Sequence, residues 1–70
     1  MTMDIAKLAP LLRETAEHHH RVELAAPPHD WWDWYAPYLS ARLDGSSPEE
    51  ADAAADRYMA EVKHIPVPSP

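Results

Sequence analysis

A chain with a single glycine has few ways to turn sharply, and here that glycine lies in LSARLDGSSPEE, residues 39–50. Gly45 suits the left-handed position that closes a helix. Directly after it, Ser47-Pro48-Glu49-Glu50 reads as an N-cap, a proline at the first helical position and a glutamate at N3, the pattern of a capping box. One helix must therefore end before Gly45 and another begin at Pro48. Upstream, Pro27-Pro28 closes an earlier segment, and Asp30 with Asp33 three residues on offers a weaker box for a helix that follows. At the C-terminus IPVPSP has proline at every second position, which requires extended backbone. Its spacing gives it no docking role. β-Branched residues are few and nothing alternates with period two, so strands are not expected. The punctuation predicts an all-α protein of three helices over 3–25, 31–44 and 48–64. It forms one domain across 1–65, followed by an extended Pro-rich tail at 66–70.

Helical periodicity assigns faces to these segments. In the first, Ile5, Leu8, Leu12, Ala16 and His19 form the expected core stripe, with Lys7, Glu14, Glu17 and Arg21 opposite. Pro10 falls on the polar side, which leaves open whether the helix starts before or after it. In the third, Ala51, Ala55, Tyr58, Met59 and Val62 form a narrow stripe, while Asp52, Asp56, Arg57 and Lys63 stay out of it. Its alanines allow a neighbour to approach closely and make a groove for bulky side chains. The middle segment holds every tryptophan of a chain without phenylalanine. Trp31, Trp32, Trp34, Tyr35, Tyr38, Leu39 and Leu43 sweep roughly 200° of its circumference. Two small helices cannot cover that arc. The Trp helix is expected at the centre of the arrangement, with its surplus apolar face meeting a second copy or another protein. The binding residues predicted on this ground are Trp31, Trp32, Trp34, Tyr35, Tyr38 and Leu39.

Composition removes several functions. Seventy residues bury only about 60% of the unfolded surface, and zero cysteines exclude a disulfide or a thiolate zinc site. A net charge of −6 supplies no basic footprint for nucleic acid or an anionic membrane. No apolar run is long enough for a transmembrane helix, and the opening MTMDIAKLAPLL lacks the basic-then-apolar order of a signal peptide. A soluble cytoplasmic protein is expected. With one glycine there is no phosphate-cradling loop, and Ser46 and Ser47 are explained by the helix boundary. No catalytic residue or cofactor is expected.

The tract ETAEHHHRVE raises metal binding. Glu17 and His20 have the spacing used by di-iron carboxylate bundles, but no second such pair exists in the chain. Successive helical residues point 100° apart, so His18, His19 and His20 cannot converge on one ion. The remaining metal candidates are His18 or His20 with Glu14 or Glu17, supplemented by His29 or Asp33. His19, on the apolar stripe, is expected in the core, bonded to a tyrosine or a backbone carbonyl.

HDWWDWYAPYLSAR followed by GSSPEEADAAADRYM resembles a small helical family of high-GC bacteria with an H-D-W-x-D-W-Y-A-x-Y signature. The likeness covers about residues 17 to 64, and the positions that match the signature are His29, Asp30, Trp31, Asp33, Trp34, Tyr35 and Tyr38. Some members are labelled bleomycin-resistance or glyoxalase-type proteins. The glyoxalase-type fold is built from βαβββ units and takes its metal ligands from strands, so no ligand carries over to this chain. The leading expectation is an interaction module that self-associates or docks a protein partner through the aromatic helix. The alternatives are a binder of small aromatic or apolar ligands, with a drug-sequestering role, and a metal-binding protein or enzyme using the Glu/His tract.

Overall fold

The computed structural model describes residues 4–67 and contains three helices, α1 (Ile5–Ala25), α2 (Trp31–Leu43) and α3 (Pro48–Glu61). Their boundaries follow from local chemistry. Asp4 caps α1 by accepting the Ala6 N–H at 3.0 Å, so the helix begins before Pro10 and carries that proline inside it. Pro10 is solvent-exposed, and the Ala6 carbonyl that it cannot bond is left on the wet side. α3 opens on the full capping box: Glu50 N–H donates to Ser47 Oγ and Ser47 N–H donates to Glu50 Oε1. Gly45, at φ 98°, closes α2, and Ser46 N–H reaches back to the Ala41 carbonyl. The weaker box at Asp30 does not form, because that side chain makes no capping bond.

Cross-helix partners give the order of packing. Glu14 meets Tyr38 and Arg42 while His19 meets Trp34 and Tyr35, so α1 and α2 run antiparallel. Trp34 meets Asp56 and Asp33 meets Lys63, so α2 and α3 do too. α2 lies between its neighbours, as its apolar arc requires. The fully buried apolar residues are Val22, Trp34, Tyr38, Ala51, Ala55 and Met59. Trp34 and Tyr38 stack with ring centroids 5.1 Å apart, filling the groove left by the alanines of α3.

The face of α1 differs from the expected one. Its buried residues are Thr15, His19 and Val22, whereas Ile5 and Leu12 point to water at 79% and 42% exposure. Ion pairs turn the helix. Glu14, expected on the polar side, accepts Tyr38 Oη–H at 2.6 Å and Arg42 Nε–H at 2.8 Å. Arg21 donates to both carboxylate oxygens of Asp56 at 3.2 Å, and His18 Nδ1 meets Asp52 at 2.9 Å. Each bond draws a residue assigned to solvent into a helix–helix seam. Length matters as well. At 1.5 Å per residue the 21 residues of α1 span about 32 Å against about 20 Å for α2, so the first turns of α1 overhang.

The third helix is shorter than the expected 48–64. α3 ends at Glu61, and His64 adopts a left-handed φ of 59°, letting Ile65 N–H bond the Met59 carbonyl. This reversal brings Ile65 and Val67 back against the core, while Val62, expected in the stripe, is 56% exposed. Residues 68–70 of the predicted tail lie outside the described residues.

Two stability measurements follow. Arg42 in the first place, and the Tyr38 hydroxyl, hold the Glu14 carboxyl below its usual range against the opposing effect of burial. A lowered folded pKa makes this contribution fully present above the ordinary glutamate value, about 4.3, and lost as pH falls through the folded one. Glu14→Gln should cost about 1–3 kcal/mol in urea denaturation at pH 7 and flatten the loss of stability below pH 4. His64→Gly relieves the left-handed strain at an exposed site and should raise stability by about 0.5–1 kcal/mol in the same assay.

Candidate functional site

Of the six residues expected to bind a partner, the fold spends two internally. Trp34 and Tyr38 are wholly buried, and Tyr35 and Leu39 are half-buried. The accessible edge is Trp31 and Trp32, each 53% exposed, with perpendicular rings 5.3 Å apart. Trp31 also leans on Tyr35 at 4.8 Å. Both tryptophans stand on the first turn of α2. The indole N–H of Trp34, by contrast, is satisfied inside by Asp56 Oδ1 at 3.0 Å.

Beside this edge lies a cleft of about 320 Å³, lined by His19, Glu23, Ala26, Pro27, Pro28, His29 and Trp31. It exists because Pro27-Pro28 stops α1 and forces five residues to cross to α2, carrying His29 back over the last turns of α1. His19 forms its floor at 1% exposure, surrounded by the rings of Trp34, Tyr35 and His29. It is the core residue expected, but its hydrogen-bond partners are neither tyrosine nor carbonyl. Nδ1 faces Glu23 Oε1 and Nε2 faces His29 Nε2, both at 3.0 Å.

The partners determine the tautomers. His29 Nδ1 lies 2.8 Å from the Pro27 carbonyl oxygen, which only accepts, so this nitrogen carries hydrogen. His19 Nδ1 faces the Glu23 carboxylate and carries hydrogen for the same reason. Two neutral rings would therefore point bare Nε2 lone pairs at each other across 3.0 Å. That contact is attractive only with a cation between the nitrogens. Burial, in the first place, holds the His19 imidazole below the usual histidine range, with His29 adding to the effect and Glu23 opposing it.

The histidine-tract candidates do not come together. Glu14 is committed to Arg42 and Tyr38, and His18 to Asp52 and a ring contact with Tyr38. His20 and Glu17 are exposed, and Asp33 pairs with Lys63. Among the described residues no three histidine, aspartate or glutamate side chains converge as a metal cluster would. The residue that periodicity could not find is Glu23. Its i,i+4 relation to His19 is visible in the sequence, but its use becomes plain only once His29 is seen opposite.

No protein-family model, characterised protein or solved structure matches the chain. The positions of the H-D-W-x-D-W-Y-A-x-Y signature divide within the fold. Trp34 and Tyr38 are core, His29 and Tyr35 flank His19, Asp33 binds Lys63, and Trp31 is half-exposed.

This division between core and edge is measurable. Trp34→Ala should cost about 3–5 kcal/mol in thermal or urea unfolding, whereas Trp31→Ala, at a half-exposed position, should cost about 1 kcal/mol.

Proposed function

We propose that the protein is a helical interaction module that pairs with a second copy of itself, covering apolar surface that its three helices leave in water. The observation that carries this reading is where that surface lies. Trp31 and Trp32 are half-exposed at one end of the antiparallel α1–α2 pair. Toward the other end of α1, Ile5, Ala9, Leu12 and Ala16 are all exposed. These four recur at spacings of four, three and four residues, the periodicity of a coiled-coil seam. Alanine alternates with a larger side chain there, which lets a second helix approach closely. Because the two patches sit at opposite ends, a twofold antiparallel pairing directs the α1 seam of each copy toward the aromatic edge of the other. Such an interface is self-complementary and closes on itself. Tryptophans are the natural anchors within it.

Size gives the pairing a physical motive. Six buried apolar residues make a small core, and without disulfides a second subunit is the available source of further burial.

Sedimentation equilibrium at micromolar concentration should show a dimer. Leu12→Glu and the double variant Trp31→Ala/Trp32→Ala should each weaken it at least tenfold while helicity is retained. A monomer across the whole concentration range would overturn the reading. A dimer indifferent to both variants would remove these surfaces from the interface.

A further inference from the structure

The cleft beside the aromatic edge holds an arrangement that neither the core nor self-association requires. We propose that His19 and His29 form a binding site for a divalent transition metal of the zinc class, held by both Nε2 atoms at the cleft floor.

Four observations converge on it. The tautomers leave two bare Nε2 lone pairs facing each other across 3.0 Å, an arrangement that a bound cation would turn from repulsive to attractive. Each Nδ1 is anchored as ligating imidazoles usually are, one on a carboxylate and the other on a backbone carbonyl, which orients the ring and raises its basicity. Two zinc–nitrogen bonds at a tetrahedral angle set their nitrogens about 3.3 Å apart. The observed 3.0 Å reaches that value when one ring shifts by a few tenths of an ångström and tilts, so that the nearly head-on lone pairs meet at an angle. The movement falls on His29, in the short connection between helices, rather than on the buried ring of α1. Finally, the cleft leaves about 320 Å³ in front of the pair. Water, or the carboxylate or amine of a small ligand, would complete the coordination there, as in sites that keep positions open for exchange.

A proton is the competing occupant. A metal ion takes the neutral imidazole as its ligand, the form in which the two anchored Nδ1 atoms leave each Nε2 free. The Glu23 carboxylate next to His19 offsets part of the added charge. None of His18, His20, Glu14 or Glu17 takes part, so the site is distinct from one built on the histidine tract.

The test is calorimetric titration of tag-free full-length protein with zinc chloride at pH 7.5. One ion per chain should bind. His29→Asn should weaken binding at least tenfold, Glu23→Gln about tenfold or more, and the exposed His20→Ala not at all. Should His29→Asn fail to fold, the wild-type protein still decides the question. Zinc should shift the Nε2 nitrogen resonances of His19 and His29 and of no other histidine. No binding at millimolar zinc would overturn the proposal and leave a shared proton as the occupant. Binding that His20→Ala abolishes, or shifts confined to His18 and His20, would overturn it in favour of the tract.

Discussion

All three helices meet at the side chain of Asp56. Its carboxylate, on α3, accepts the Trp34 indole N–H from α2 and both hydrogen bonds of the Arg21 guanidinium from α1. A tryptophan fully buried in so small a protein carries an N–H that must find an acceptor, since an unmet donor there costs as much as the bond would have contributed. Placing a carboxylate against it solves that problem and creates another, a half-buried negative charge. Arg21 answers the second with its positive charge, its Nη2 donating to both oxygens of the same carboxylate at 3.2 Å. The orientation of α1 follows from this chain of requirements more than from its own apolar stripe.

Glu14 repeats the device about two turns before Arg21 on α1. It gathers the Tyr38 hydroxyl and the Arg42 guanidinium, while Arg42 also donates to the Ser46 carbonyl and so ties the α2–α3 turn to α1. The Tyr38 phenol is pushed well above its usual range, first by burial and then by this bond to Glu14. The two large aromatics of the core thus each end in a carboxylate on a neighbouring helix, and each carboxylate ends in an arginine. Such pairs set which face of a helix docks, because a rotation of one residue leaves a buried donor and a half-buried charge without partners.

That mechanism explains what could be read from the chain and what could not. Helix ends depend on residues within a turn of one another, so Ser47, Pro48, Glu50 and Gly45 announced theirs unaided. The central place of α2 was legible too, since its apolar arc admits few other positions. The face of α1 was not. Its apolar side chains spread over a wide arc that also takes in Leu11 and Val22, and the choice of which face inward lies in Glu14, His18 and Arg21, whose hydrogen-bond partners are 24 to 35 residues away. The same distance problem hid the cleft. Only the crossing forced by Pro27-Pro28 lays His29 on His19. A left-handed histidine at position 64 is still less foreseeable, since glycine would be expected there.

Turning α1 by its ion pairs has a further consequence for the molecule's surface. Had Ile5, Leu12 and Ala16 faced inward, the acids and bases of α1 would have covered the outside and little apolar surface would remain there. With Glu14, His18 and Arg21 consumed at the seams, the outer side of α1 is left with the unused stripe. Shortening α1 would remove the overhang at Ile5 but not the exposure of Leu12 and Ala16, which lie alongside the core. The exposed stripe and the polar seams are therefore two sides of one choice. A sequence that replaced Arg21 and Asp56 with apolar residues would remove one of the pairs that choose between the faces of α1. His19 lies where the two faces meet, so it is core in either, and the ion pairs decide only on which side of it Leu12 and Ala16 stay in water.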